Sequence, residues 1–174
     1  LRRFEREARV LAAMSHPNIA AIYGLERLGG SPYLVLERVE GETLAHRIAR
    51  GPLPWQEAAA IAIQIIDGLE EAHGKGVIHR DLKPSNVMLA PGGRVKLLDF
   101  GLAKTATRHE DTNASAALTA AGAVLGTARY MSPEQVQGEE VDTRTDVWAF
   151  GCVLYEMLTG RAGFPGRSVP EVLA

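Results

Sequence analysis

The chain has 174 residues, enough for one domain with a substantial core and too few for two large ones. Its 46% apolar and 23% charged residues are those of an ordinary soluble globular protein, and a formal net charge of −2 gives no basic footprint for nucleic acid. A single cysteine, Cys152, excludes an internal disulfide and suits a reducing compartment, and the five histidines show no metal-ligand spacing.

Phe4, Ala8, Leu11 and Met14 recur at helical spacing with Arg and Glu opposite, which predicts a helix over 2–14 broken by Ser15-His16-Pro17-Asn18. An apolar stretch over 19–25 and the run Tyr33-Leu34-Val35-Leu36 predict two strands of a hairpin, joined through the turn Gly29-Gly30-Ser31-Pro32. A short helix is expected over 43–49 and a long Ala/Ile-rich one over 55–73, ended by Gly74-Lys75-Gly76. The most apolar part of that helix, 58–66, is too short for a membrane span, carries Gln64 and fits a buried helix. Residues 77–78 and 87–89 read as short β segments, and Gly92-Gly93 turns into a strand over 95–98. The Ala, Thr and Ser-rich stretch 102–125 has no period and reads as a mobile loop inside the domain, with ordered signals resuming at Gly126. Residues 146–159 are apolar nearly all round and predict a buried helix, with Cys152 a core residue. The chain starts without Met inside a helical pattern and stops inside another apolar one, so a fragment of a longer protein is expected.

Two motifs carry the chemistry. His79-Arg80-Asp81-Leu82-Lys83-Pro84-Ser85-Asn86 places a carboxylate, a cation and a carboxamide on one short loop, and thirteen residues beyond Asn86 stands Asp99-Phe100-Gly101, just after an apolar strand. Moving a phosphoryl group requires those parts: a base for the attacking hydroxyl, positive charge near the γ-phosphate, and oxygen ligands for Mg²⁺. Their spacing is similar to that of the catalytic and metal loops of protein kinases. The order of elements resembles the serine/threonine protein kinases over essentially the whole chain, and its details look most like the bacterial branch.

That resemblance implies an α+β, two-lobe protein-kinase-like fold truncated at both ends, with 1–36 a remnant of the small β-rich lobe, 37–41 the hinge, and 42–174 an incomplete helical large lobe. It implies ATP and Mg²⁺ as cofactors and a protein substrate with a Ser or Thr acceptor. Asp81 would be the catalytic base, Lys83 would neutralise charge on the transferring group, and Asn86 and Asp99 would hold Mg²⁺. Glu7 would pair with the ATP-contacting lysine. The carbonyl of Glu37 and the N–H of Val39 would meet adenine, with Leu36 behind it. His79 and Phe100 would be packing residues, in a stack with Leu11, Ile22 and Asp146. Arg80 fits kinases whose loop is ordered by phosphorylation, with Thr119 the candidate acceptor and Thr105, Thr112 and Ser115 weaker ones. The segment from Gly126 to Glu134 resembles the substrate-docking end of that loop, with Ser-Pro-Glu for the usual Ala-Pro-Glu and Gln135 following. Thr127 would hydrogen-bond Asp81 and Lys83, and both Lys83 and Thr127 point to serine/threonine substrates. The arginine that usually pairs with Glu134 is absent.

No glycine-rich phosphate loop and no strand lysine precede the first helix. The expectation is therefore an active parent enzyme and an inactive 174-residue fragment, poorly stable at its cut faces. No segment of the chain resembles a membrane span; a cytoplasmic location is expected, with any membrane anchor of the parent lying outside the chain. Two alternatives are a pseudokinase, that is a kinase-like binding or scaffold module, and a metabolic or antibiotic phosphotransferase. Intact base, lysine and metal ligands disfavour the first, and the docking segment disfavours the second.

Overall fold

The structure is a computed structural model that describes residues 12, 14–28, 31–100, 123–166 and 169–173. The helix expected over 2–14 falls outside them apart from Ala12, which is helical, and Met14, which is buried just after it. Strands β1 (Ile22–Leu28) and β2 (Ser31–Leu36) form the expected antiparallel hairpin, paired Leu25 to Leu34 and Glu26 to Tyr33. The strand starts later than the apolar run suggests. Ile19 makes only an isolated parallel bridge to Leu97, because the Ala20 N–H donates to the Leu97 carbonyl and the Leu97 N–H to that of Asn18. Ser31 and Pro32, expected in the turn, belong to β2.

A second sheet runs in the order β3 (Glu42–Thr43), β4 (Val87–Ala90), β5 (Arg94–Leu97), all antiparallel. β3 is too short to carry a periodic signal, and the helix expected at Thr43 begins one residue later. Thr43 is its N-cap, its Oγ1 accepting the His46 N–H, and helix α1 spans Leu44–Ile48. Residues 77–78 are not a strand. Val77 instead gives its N–H to the Ala72 carbonyl, closing the turn that ends the preceding helix.

That helix, α2 (Trp55–Gly74), buries Ala58, Ile61, Ala62, Ile65, Leu69 and Ala72 along one stripe, facing β5 and the last long helix. It is amphipathic and not buried all round: Ile63 and Ile66 are exposed. Gly68 lies where a Cβ would stand 2.9 Å from Leu97 Cδ1 and 3.1 Å from the Asn18 carbonyl oxygen. The absent side chain lets α2 close on the sheet. Asn18 fills the same seam, its Nδ2 donating to Gln64 Oε1 at 3.0 Å and to the Val95 carbonyl at 2.9 Å.

Of the loop expected over 102–125, only 123–125 lie among the described residues, and they are helical. Residues 101–122 are outside the described ones, and helix α3 covers Ala123–Ala128, so Gly126 sits within a helix. Helix α4 (Pro133–Gln137) follows, then α5 (Arg144–Thr159) and α6 (Val169–Leu173). Helix α5 corrects a second expectation of complete burial. Ala149, Cys152, Val153 and Met157 are in the core, whereas Val147 (63% exposed) and Tyr155 (50%) remain largely open to solvent. Among the described residues no helix is long and apolar enough to cross a membrane.

Candidate functional site

After the α2 turn the chain runs into the core at His79, which is fully buried. Its N–H donates to Asp146 Oδ2 at 2.8 Å, and the Arg80 N–H donates to Asp146 Oδ1 at 2.9 Å. His73, in the last turn of α2, places Nε2 2.7 Å from the same Oδ2. One buried carboxylate on α5 thereby anchors the start of the loop. His79 Nδ1 accepts the Asp81 N–H, so the proton of the neutral ring sits on Nε2, and the ring packs on Phe100 at 4.5 Å between centroids. Burial pushes the His79 pKa down, outweighing the opposing pull of Asp146 and Asp81. Fully buried against Phe100, the ring occupies the position of a packing residue.

Beyond His79 the backbone turns sharply. Arg80 adopts φ 64° in the left-handed region. Leu82 is buried as the loop's apolar anchor, Lys83 is extended, and Pro84–Asn86 forms a short 3₁₀ turn with Pro at its start. The turn folds Asn86 back on the loop, where its Nδ2 donates to the Asp81 carbonyl at 2.9 Å and to Asp81 Oδ2 at 3.2 Å. Lys83 Nζ lies 2.9 Å from Asp81 Oδ2 and 2.9 Å from Thr127 Oγ1. Four of the residues picked out in the sequence, Asp81, Lys83, Asn86 and Thr127, thus meet around one carboxylate.

The β4–β5 hairpin delivers Asp99 to the same place. The Leu98 N–H donates to the Asn86 carbonyl at 2.8 Å, so Asp99 leaves the strand beside Asn86, with φ 50° and an exposed side chain. Asn86 spends its amide nitrogen on Asp81, which leaves its amide oxygen as the atom that can face a cation. With the Asp99 carboxylate this is an all-oxygen donor set, which suits a hard divalent ion that keeps some of its water.

Glu37 and Val39 continue from β2, both half-buried. The Glu37 carboxylate accepts from Lys96 Nζ at 2.8 Å and from the Ala21 N–H at 2.9 Å, and these two bonds hold its carboxyl below the usual carboxylate range. Glu7 and Thr119 lie outside the described residues, as do Leu11, Thr105, Thr112 and Ser115. A cavity of about 800 Å³ opens beside Lys83 and Thr127, reaching α1 at Ala45 and Ile48 and α5 at Glu156, which accepts a hydrogen bond from Tyr130.

Three participants were given no contact or role in the sequence. Gln135 bridges α4 to the loop, donating to the Arg80 carbonyl at 2.8 Å. Thr145 donates to Glu134 Oε1 at 2.6 Å and lies 3.1 Å from Ser132 Oγ. Lys96 ties β5 to Glu37. A Gln after Ser-Pro-Glu, a Thr before a helical Asp and a Lys on a strand are individually unremarkable, and only the chain path gives each its partner.

A family model described as protein kinase domain matches residues 2–173 of the chain. The chain is 43% identical over 98% of its length to serine/threonine-protein kinase PknB of Mycobacterium leprae (strain TN), covering 27% of that protein. It is 41% identical over 99% of its length to serine/threonine-protein kinase PknL of Mycobacterium tuberculosis (strain ATCC 25618 / H37Rv), covering 42% of it. Against serine/threonine-protein kinase pkn2 of Myxococcus xanthus the identity is 44% over 94% of the chain, covering 20% of that protein. The chain spans about a quarter of the length of the first of these relatives.

Proposed function

The chain belongs to the protein kinase domain family, and from that premise we propose that the whole protein transfers the γ-phosphate of ATP to Ser or Thr hydroxyls of protein substrates. The observation that carries this reading is the convergence of Lys83 and Asn86 on the Asp81 carboxylate, with Thr127 held by the same lysine.

Asp81 accepts the proton of the substrate hydroxyl as its oxygen attacks the γ-phosphorus; the bond to the β-phosphate oxygen breaks and ADP leaves. Asn86 orients Asp81 through two hydrogen bonds from its Nδ2. Lys83 meets the charge that builds on the transferring group, and Thr127 keeps its ammonium at the site. A kinase domain works with ATP and a divalent metal; we take the metal to be Mg²⁺, which Asn86 and Asp99 would hold and which would supply neutralisation of phosphate charge. The backbone of Glu37 and Val39 would receive adenine, while the Glu37 side chain is engaged by Lys96. Glu7 pairs with a lysine that contacts ATP, and Arg80 receives a phosphate on Thr119. Residues 1–36 then belong to the small lobe, 37–41 to the hinge and 42–174 to the large lobe, and the domain works in the cytoplasm.

The test is phosphate transfer from radiolabelled ATP to casein by the full-length protein, beside Asp81→Asn and Asp99→Asn. Magnesium-dependent transfer lost in both variants supports the reading. Mg-nucleotide binding without transfer by the wild type would instead identify a kinase-like binding module.

A further inference from the structure

One side chain of helix α4 touches the loop that carries Asp81. Gln135 accepts the Ser132 N–H on its Oε1 at 3.1 Å and donates from its Nε2 to the Arg80 carbonyl at 2.8 Å, fifty-five positions away in sequence. The carboxamide fits only this way round, because oxygen must meet the N–H and nitrogen the carbonyl. The N–H of Arg80 is taken by Asp146 Oδ1 at 2.9 Å. Both backbone groups of Arg80 are thus gripped, one from α4 and one from α5. Arg80 stands at φ 64°, a conformation that a residue with a Cβ keeps only when its surroundings impose it. The rotation at Arg80 sets the direction in which the next residue, Asp81, leaves the backbone.

We propose that Gln135 is a positioning residue for Asp81: its carboxamide clamps the Arg80 carbonyl, so that the loop holds the left-handed turn that aims the Asp81 carboxylate. This rests on the reading of Asp81 as the base. Gln135 touches no reacting atom and acts through the Arg80 peptide. The competing account is that Gln135 only caps α4 through Ser132.

The substitution Gln135→Glu separates the two. A glutamate still accepts the Ser132 N–H, and its charge is favourable at a helix N-terminus. It has no hydrogen to give the Arg80 carbonyl. Gln135→Ala removes both bonds. The experiment uses the full-length protein as wild type, Q135E, Q135A and D81N, measuring kcat, KM for ATP, Kd for Mg-nucleotide and Tm, with casein as acceptor.

For Q135E the expected result is a kcat about 10- to 100-fold lower with KM, nucleotide Kd and Tm close to wild type. For Q135A a similar loss of kcat comes with a lower Tm. Wild-type kcat in Q135E beside an inactive D81N overturns the clamp and leaves the catalytic reading standing. A Q135E variant whose kcat falls only in step with Tm and nucleotide affinity also overturns it. Wild-type activity in D81N removes the reading on which the clamp depends.

Discussion

Asp146, fully buried in helix α5, accepts the backbone N–H of His79 at 2.8 Å across sixty-seven positions of sequence. The same carboxylate accepts the Arg80 N–H and lies within hydrogen-bond distance of His73 Nε2. The helix therefore holds the start of the loop by its main chain, and the arrangement does not depend on which side chains the loop carries.

Asp146→Asn is expected to destabilise the fold. The amide keeps the shape but turns an NH₂ group toward at least one buried N–H, and an unsatisfied buried donor costs about 1–3 kcal/mol. Asp146→Ala orphans all the donors and should cost more. Urea unfolding checks this as a lower midpoint at unchanged m, and an unchanged midpoint in D146N would contradict the anchoring role.

Lys83→Met should lower kcat of the full-length protein by about 100- to 1000-fold, the range for removing one charge-stabilising donor from a transition state. The side chain is partly exposed and its partners are polar, so Tm should move little. Thr127→Val should reproduce part of the loss and Thr127→Ser very little of it.

Asn86→Ala removes the amide oxygen proposed as a metal ligand together with both bonds to Asp81. It should raise the Mg²⁺ concentration needed for half-maximal rate and also lower kcat at saturating Mg²⁺. Asp99→Asn, which has no bond to Asp81 among those described, should chiefly weaken the metal response. Magnesium titrations of the two variants separate these outcomes; coincident curves and equal kcat would argue against distinct roles.

Stability should fall as pH drops from about 7. An unfolded histidine titrates near 6.5, whereas burial holds folded His79 neutral to a lower pH. Below about 6.5 the unfolded chain binds a proton that the folded chain refuses, so protonation favours unfolding; above it His79 contributes nothing to the slope. His79→Phe should flatten the Tm profile between pH 7.5 and 5.5, and a profile as steep as wild type would be evidence against the neutral buried ring.

Gly68→Ala sets two effects against each other. Alanine favours a helix interior by up to about 1 kcal/mol over glycine, but overpacking a tight seam costs about 1–3 kcal/mol. The new Cβ would meet fully buried Leu97 at 2.9 Å and a backbone oxygen at 3.1 Å, neither free to withdraw. The clash should win, giving a net loss near 1 kcal/mol in chemical denaturation; a gain in stability would show that the seam relaxes.

The helical periods of α2 and α5 were visible in the sequence because 3.6-residue spacing is local. Their exposed sides were not, because Ile63, Val147 and Tyr155 look apolar whichever way they face. Strand β3 has two residues and no pattern of its own. It exists because β4 offers an edge.

The sequence by itself determined which groups the site contains. His79 to Asn86 lie within eight positions, and a short loop keeps its members within reach of one another whatever surrounds it, so Asp81, Lys83 and Asn86 could be named as a set. Tertiary structure alone decided what holds them. Gln135 on Arg80, Asp146 on His79, Thr145 on Glu134 and Lys96 on Glu37 pair common polar residues, most of them from distant stretches of chain. Such a bond depends on where the chain passes, and the identities of its two ends do not encode that path.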